Sequence, residues 1–279
     1  MRNFTFKGLF LAVVFIVLGS LSIQAADGLI TKQITIKLDE AGTLPNKIGS
    51  TKKFQITNLK IIGEINGRDL QMIREMAGKD VRGNDTDGML SVLDLSDAKI
   101  VEGGGYNING FYYPTSNDKI GDNAFCDCSG LTSLTLPSDV TEIGNAAFEG
   151  CSGLTSLTLP SGVAKIGDYA FHGCSGLTSI YVYAEKLPNM GNDVFEGCDA
   201  KKCTVYVPKG TYDDYWLSEF GYFENIVEFE ATGINNVITS NDAKGLSRYS
   251  VNGQRLSAPT KGLNIVKYSD GSVKKVAVQ

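Results

Sequence analysis

Apolar residues recur at a fixed spacing through the middle of the chain. Three consecutive 23-residue segments read almost identically: 120–142, 143–165 and 166–188. A fourth and less regular unit, with one extra residue, runs from Met190 to about Thr211. A period this short is typical of a stacked solenoid, because each unit can bury its apolar face only against its neighbours.

Within each unit, the spacing Leu-x-x-Leu-x-Leu predicts one short strand. Alternating apolar positions place every second side chain on one face, and identical strands stacked in register form a parallel sheet. Each leucine or isoleucine buried in this way contributes roughly 1.5–3 kcal/mol. The predicted inward residues are Leu131, Leu134, Leu136, Leu154, Leu157, Leu159, Leu177, Ile180 and Val182.

The same strand spacing occurs earlier, in residues 56–61 and 90–95, with longer insertions between. We interpret these segments as irregular first coils. Between them, Asn66 can cap a helix from about Arg68 to Ala77, which a following glycine ends. Residues 31–38 alternate and predict an edge strand. This region would cover the open end of the solenoid, which otherwise exposes apolar surface and unpaired backbone.

The period breaks after the fourth unit. Residues 211–229 are rich in aromatic side chains and contain the only tryptophan, Trp216. One interpretation is an aromatic lid on the last coil, and the other is a platform for a ligand. Further on, Asn252-Gly253 and Asp270-Gly271 lie between alternating apolar stretches, which is a strong hairpin signal. They predict a small all-β module.

The N-terminus has the layout of a secretion signal. Arg2 and Lys7 supply positive charge, residues 9–18 are almost wholly apolar, and small residues lead to a cleavage site after Ala25 or Ala26. A membrane anchor is the alternative, but the apolar run is shorter than the about 20 residues that a span needs. We therefore expect an exported protein, secreted, surface-bound or periplasmic, with no transmembrane span in its mature chain.

The charge balance excludes two classes of partner. The chain carries a net charge of −5, and removal of residues 1–26 leaves 24 basic and 31 acidic residues, a net charge of −7. No basic field is then present to attract nucleic acid or an anionic membrane.

The repeats resemble the BspA-like leucine-rich repeats of bacterial surface proteins. The run AFxxCxxLxxLxLP stands almost intact at 124–137 and 147–160, and it weakens in the third unit, where Tyr183 replaces the proline. The resemblance covers about residues 56–229. It implies a leucine-rich-repeat solenoid, a curved right-handed coil of short parallel β strands with few helices, and a role in adhesion or in binding a protein or glycan.

The tail resembles a second family, the short β-rich C-terminal modules of exported Bacteroidetes proteins. The matching residues are 249–256, 261–266 and 274–278. This resemblance implies a sorting signal that outer-membrane secretion machinery recognises. The alternative is a simple β module without a sorting function. The expected organisation is a signal peptide (1–26), an N-terminal capping region with irregular repeats and one helix (27–119), regular repeats (120–211), a C-terminal cap (212–232), and a linker with the β module (233–279).

Four cysteines occupy one position of the repeat: Cys128, Cys151, Cys174 and Cys198. We predict that they form a buried structural column, since a small thiol is readily buried and zinc sites use pairs of closely spaced ligands. The total of six cysteines is even and the expected compartment is extracytoplasmic, so disulfides are the alternative. Cys198 and Cys203 in the last unit are the best candidates.

Residues that alternate with the buried leucines must point outward from the sheet. They are rich in hydroxyl groups and nearly uncharged. Either threonine and tyrosine simply suit exposed strands, or the rows form a binding strip with tyrosines as anchors, which the loop 106–114 could extend. The candidate binding residues are Ser133, Thr135, Ser156, Thr158, Ser179, Tyr181, Tyr183, Thr204 and Tyr206.

No pattern in the sequence predicts catalysis. The single histidine, His172, falls at a variable repeat position, and residues 84–88 (NDTDG) lack the full spacing of a calcium loop. We therefore predict no catalytic residues, metal site or cofactor. The hypotheses are a binding protein, a structural spacer held by its C-terminal module and, as the weakest, a carbohydrate-active enzyme.

Overall fold

A computed structural model describes residues 28–229 and, beyond them, four strands at Gly245–Ser250, Arg255–Leu256, Gly262–Tyr268 and Val273–Val278. The predicted signal peptide, the linker and both turn dipeptides of the tail lie outside the described residues.

The N-terminal region mixes strands with two helices and ends in a hairpin. Its helix α2 (Gly67–Met76) has the predicted asparagine cap, Asn66, whose side chain accepts a hydrogen bond from the Arg68 backbone. The structure also has a one-turn helix, α1 (Leu44–Lys47), which the sequence did not predict. The elements are β1 (Ile34–Leu38), α1 (Leu44–Lys47), β2 (Asn58–Ile65), α2 (Gly67–Met76), β3 (Val92–Ile100), β4 (Gly105–Ile108) and β5 (Phe111–Pro114).

Each repeat adds two short strands, one on each of two sides of the coil. The elements of the repeats are β6 (Lys119–Ile120), β7 (Ser133–Thr135), β8 (Glu142–Ile143), β9 (Ser156–Leu159), β10 (Lys165–Ile166), β11 (Ser179–Val182), β12 (Asn189–Met190) and β13 (Thr204–Pro208). The chain then forms α3 (Tyr212–Trp216), a 3-10 turn (Glu219–Tyr222) and β14 (Asn225–Phe229).

The main sheet has eight strands in the order β1-β2-β3-β7-β9-β11-β13-β14, and all of its pairs are parallel. Its register aligns Leu93 with Leu134, and Leu157 with Ile180. These side chains are buried in one continuous core. The predicted solenoid of short parallel strands with few helices is confirmed, and the irregular segments 56–61 and 90–95 supply its coils β2 and β3.

Phenylalanine side chains stack through the core behind the main sheet. The rings of Phe125, Phe148, Phe171 and Phe195 follow one another with centroids 5.3, 5.3 and 5.8 Å apart and planes within 10° of parallel. A second sheet, of order β12-β10-β8-β6, lines another side of the coil. Because the repeat length is constant, equivalent phenylalanine residues of successive coils contact one another in a column along the solenoid axis.

Each coil turns through two residues with left-handed backbone. In the second coil they are Ala146 (φ 51°) and Gly150 (φ 69°), and equivalent positions of the other coils also have positive φ. Glycine adopts this conformation freely, whereas a residue with a Cβ is strained by about 1–2 kcal/mol. Ala146 is therefore a strained position that the surrounding coils impose.

The first regular coil, residues 120–142, is covered on its N-terminal side by side chains that take the place of a preceding regular coil. Between regular coils, Asn123 N donates to Asn145 O (2.9 Å) and Asp127 N donates to Glu149 O (2.7 Å). In the first coil the equivalent carbonyls are those of Asp122 and Cys126. They accept from the Tyr106 hydroxyl (2.8 Å) and from Arg74 Nη1 (2.7 Å). Tyr106 and Arg74, both buried, thus satisfy the backbone acceptors that a preceding coil would satisfy.

The C-terminal end is closed by aromatic side chains. Phe220 and Phe223 pack on Phe195 with ring centroids 5.0 and 5.1 Å away, and buried Tyr215 donates its hydroxyl to Ala184 O at 2.7 Å. These three residues form an aromatic lid on the last coil. Trp216 is 53% exposed and does not share in that burial.

The tail strands β15 (Gly245–Ser250), β16 (Arg255–Leu256), β17 (Gly262–Tyr268) and β18 (Val273–Val278) form an antiparallel sheet of order β16-β15-β17-β18.

Replacing Tyr106 by phenylalanine should lower the free energy of unfolding by about 1–2 kcal/mol, because the Asp122 carbonyl loses its donor inside the protein. Urea denaturation followed by circular dichroism measures the change. Tyr112→Phe, in the same hairpin but 60% exposed, is the matched control and should leave stability unchanged. Equal effects of both substitutions would contradict the capping role of the Tyr106 hydroxyl.

Ala146→Gly should raise the free energy of unfolding by about 0.5–1 kcal/mol, because removal of the Cβ relieves left-handed strain by more than the added chain entropy costs. Ala164→Gly, at an exposed position whose φ is not positive, should lower stability instead. Thermal melts of both variants check the two signs, and a loss of stability in Ala146→Gly would show that the position is unstrained.

Candidate functional site

The register of the main sheet aligns the predicted outward residues into two rows. Ser133, Ser156, Ser179 and Thr204 stand opposite one another across β7, β9, β11 and β13. Thr158, Tyr181 and Tyr206 are aligned in the same way, and Thr135 lies at the equivalent position of β7, opposite Asp94 of β3. We name these two rows, together with Tyr183, the outer strip.

All nine residues of the outer strip are half-buried. The reason is that neighbours along a row cover one another. Ser179 Oγ donates to Ser156 Oγ at 3.1 Å, and the rings of Tyr181 and Tyr206 stack with centroids 4.6 Å apart and planes within 7°. The ring spacing matches the separation of about 4.8 Å between neighbouring strands, so the parallel register itself sets the tyrosine pair.

Aromatic side chains dominate the C-terminal end of the outer strip. Tyr183, one position beyond the buried Val182, packs edge to face on Phe229 with ring centroids 5.2 Å apart. Val227 aligns with Tyr206 and is 46% exposed. This end of the strip therefore offers a rigid apolar surface together with phenolic hydroxyl groups.

The N-terminal end of the same face is ionic. Lys60 aligns with Asp94 across β2 and β3, and its Nζ lies 3.0 Å from Asp94 Oδ2 and 2.7 Å from Asp97 Oδ2. The hydrogen bond to Asp97 raises the pKa of Lys60 against the effect of desolvation, and Asp94 adds to the rise. Burial opposes the ionisation of Asp94, but hydrogen bonds from Ser96 and Lys60 prevail and lower its pKa.

The structure extends both rows beyond the residues that the sequence singled out. Asn58 and Lys60 on β2, and Asp94 on β3, continue the rows at one end, and Asn225 and Val227 on β14 continue them at the other. Asn58, Lys60 and Asp94 could have been predicted from the sequence, because they occupy the equivalent outward positions in the Leu-x-x-Leu-x-Leu spacing of the irregular coils. No repeat signature marks β14.

The aromatic hairpin β4–β5 packs away from the outer strip. Its buried Tyr106 stacks on Tyr113, and its hydroxyl donates to Asp122 O. The Tyr113 hydroxyl accepts from Asn123 Nδ2 at 3.2 Å. These contacts tie the hairpin to the turn that follows β6, so the expectation that residues 106–114 extend the strip is not met. Phe111 and Tyr112, at its tip, are 68% and 60% exposed.

The four repeat cysteines are buried in one column. The thiols of Cys151 and Cys174 each donate to the phenylalanine carbonyl of the preceding coil at 3.1 Å. Cys198 makes the same contact to Phe171 O at 3.5 Å. Burial raises the pKa of the Cys128 and Cys198 thiols to about 12. All six thiols are free, including those of the disulfide candidates Cys198 and Cys203.

The remaining candidate residues have local structural contacts. His172 lies between two carboxylates, with Nδ1 3.7 Å from Glu149 and Nε2 3.9 Å from Glu196. In the loop at residues 80–88, Asp80 accepts hydrogen bonds from the backbone of Arg82 and Asn84. Within the described ranges, no group of three or more His, Cys, Asp or Glu side chains is placed to hold a metal ion.

Comparison with known proteins supports the repeat class. Residues 104–215 match the profile of the BspA type leucine-rich repeat region, in six copies. Residues 104–215 are therefore similar to BspA type leucine-rich repeats, and the parallel sheet shows that they form a repeat solenoid. A crystal structure of a leucine-rich repeat protein from Bacteroides ovatus is similar at 25% identity and a TM-score of 0.39, over 63% of this chain and 43% of that one. The chain thus spans less than half the length of that protein.

A comparison with curated proteins gave no match. None of the helices in the described part of the chain has both the length and the apolar character that a bilayer span requires.

The column cysteines should resist modification in the folded protein. A thiol with a pKa of about 12 is roughly 0.01% ionised at pH 8, and burial excludes the reagent. We expect the thiol reagent DTNB to react with none of the four in the native state and with six thiols in guanidinium chloride. Ser152→Cys, an exposed neighbour of Cys151, is the positive control. Fewer than six thiols after unfolding would reveal a disulfide.

Asp94→Asn should lower the free energy of unfolding by about 1 kcal/mol at pH 7, through weakened bonds to Lys60 and Ser96. The folded pKa of Asp94 is depressed, so its contribution is present above the unfolded value of about 3.9 and is lost as pH falls through the folded pKa. The difference from the unmodified protein should therefore shrink below about pH 4. Denaturation at several pH values measures it, and Asp87→Asn, at an exposed site, should show no such trend.

Proposed function

We propose that this protein is exported and binds a protein partner through the outer strip of its leucine-rich-repeat sheet. The observation that carries the proposal is the stacked pair Tyr181–Tyr206, flanked by Tyr183 and Phe229, on the solvent side of a sheet whose middle strands carry hydroxyl groups. Aromatic residues held on a rigid scaffold are the usual anchors of protein interfaces. The BspA type repeats of residues 104–215 are consistent with a role in protein interaction.

The packing of the tyrosines favours a polypeptide over a glycan. Sugars stack on open ring faces, but here Tyr181 and Tyr206 cover one face of each other. Their register neighbours on the outer sides are Thr158 and Val227. The ring edges and hydroxyl groups are then the accessible parts, and they suit side-chain contacts and hydrogen bonds to a peptide backbone.

The dimensions of the outer strip set the size of the partner segment. With its extensions on β2, β3 and β14, the outer strip crosses seven strands about 4.8 Å apart, which gives a length of about 29 Å that an extended peptide of about nine residues would span. The ionic end at Lys60 and Asp94 and the aromatic end at Tyr206 and Val227 give the strip a direction. Because the stacked rings are already ordered, little side-chain entropy remains to be lost on binding.

Export and sorting belong to the same proposal. The secretion signal in residues 1–26 would deliver the chain out of the cytoplasm, and residues 233–279 would engage outer-membrane machinery.

A structural spacer held by that C-terminal module is the second candidate function, and a carbohydrate-active enzyme is the weakest. Deletion of residues 233–279 followed by cell fractionation separates the first two, since an unaltered location would remove the sorting role.

The double substitution Tyr181→Ala and Tyr206→Ala should weaken partner binding by about 30-fold or more, because loss of a central aromatic anchor costs 2 kcal/mol or more. Peptides selected from a phage-displayed library on the full chain serve as ligands, with affinity measured by biolayer interferometry. A glycan array is screened in parallel.

The matched control for this experiment is Tyr112→Ala combined with Tyr169→Ala, which removes two exposed tyrosines outside the strip. It should leave peptide affinity unchanged. Specific glycan binding that depends on Tyr181 and Tyr206, without any selected peptide, would contradict the proposed class of partner. Equal losses in the strip and control variants would remove the outer strip as the binding surface.

A further inference from the structure

The C-terminal cap, residues 211–229, leaves apolar side chains uncovered beside its aromatic lid. Trp216 is 53% and Leu217 is 79% exposed. In the described part of the chain, β14 is the last strand of the main sheet and pairs on one side only. Exposed apolar side chains next to an open strand edge mark a surface that another structural element covers.

The same cap is uniformly acidic. Residues 211–229 contain no lysine or arginine, and even with the last coil included, residues 185–229 hold nine acidic and four basic side chains. Its acidic residues are Asp213, Asp214, Glu219, Glu224 and Glu228. An element of opposite charge is therefore favoured at this surface, at least at low ionic strength.

The tail sheet has the complementary charge. Strands β15–β18 contain five basic residues and no acidic residue, whereas residues 28–229 as a whole carry 27 acidic and 17 basic side chains. The basic residues in these strands are Arg248, Arg255, Lys267, Lys274 and Lys275.

The tail is also tethered close to the cap. Residues 230–244, fifteen in all, connect the end of β14 to the start of β15. A chain of that length spans at most about 50 Å. A short tether of this kind raises the local concentration of one element near the other to about the millimolar range.

We propose that the basic tail sheet, β15–β18, docks on the acidic cap, residues 211–229, of the same chain. Docking would shield Trp216 and Leu217 and protect the β14 edge from pairing with another molecule. The contact combines charge complementarity with apolar burial and is strengthened by the tether. It is independent of the proposed partner at the outer strip and of any sorting role of residues 233–279.

A second copy of the chain is the competing occupant. Residues 28–60, at the opposite end of the solenoid, contain six lysines and two acidic residues. Head-to-tail stacking would place that basic end on the acidic cap of another molecule. The tether favours the tail sheet, because stacking depends on protein concentration and docking within one chain does not.

The only tryptophan of the chain reports on this surface directly. In the full-length protein at low salt, we expect docking to protect Trp216 from acrylamide quenching. Raising NaCl to about 1 M shortens the screening length to about 3 Å, so quenching should rise and the emission maximum should move to longer wavelength. An exposed Trp216 at low salt, with no response to NaCl, would overturn the proposal.

Charge reversal identifies the occupant. Lys274→Glu with Lys275→Glu should expose Trp216 at low salt, and the further changes Asp213→Lys and Asp214→Lys should restore its protection. The matched control, Lys32→Glu with Lys37→Glu, should have no effect. The opposite result would be loss of Trp216 protection only in the control variant, together with dimers of the unmodified protein in light scattering. That result would assign the surface to a second copy and refute docking within the chain.

A zero-length carbodiimide crosslink provides a readout on the unmodified chain, independent of variant folding. Crosslinks between lysines of β17 or β18 and carboxylates of the cap, within the monomer band, are expected. Their absence would overturn the proposal even if the fluorescence response were present.

Discussion

The structure depends on contacts between successive coils. Each coil offers its backbone hydrogen bonds, its phenylalanine ring and its leucine side chains mainly to the coils before and after it. The stacking is repetitive, so one favourable geometry serves along the whole solenoid. The same constraint explains the strained residue Ala146, since neighbouring coils determine its backbone conformation whatever side chain it carries.

A solenoid built from such contacts must be closed at both ends. At the first regular coil, the Tyr106 hydroxyl and the Arg74 guanidinium donate to carbonyls that a preceding regular coil would satisfy. At the other end, Tyr215, Phe220 and Phe223 cover the ring of Phe195. The two caps differ because the coils that they cover expose different groups. The first regular coil exposes backbone carbonyls without donors, and the last coil exposes an apolar ring face.

The outward-facing residues of the strands are not required for core packing or for capping, and their chemical character changes along the solenoid. An ion-paired lysine lies at the N-terminal end, hydroxyl groups occupy the middle, and aromatic rings lie at the C-terminal end. Such a graded surface can change without loss of the fold, because the inward leucines maintain the sheet. That separation between core and surface is what allows a binding strip on a repetitive scaffold.

The sequence alone determined the class of fold, because a 23-residue period of alternating leucines can bury its apolar face only by stacking. It also placed the inward leucines, the asparagine cap of α2 and the two outward rows, which follow from the alternation of side chains in strands. Only the tertiary structure decided which residues meet across coils separated by irregular insertions. The edge-to-face contact of Tyr183 with Phe229 and the capping by Arg74 join residues 46 and 52 positions apart. No local pattern encodes such contacts, since they depend on how each insertion folds back on the stack.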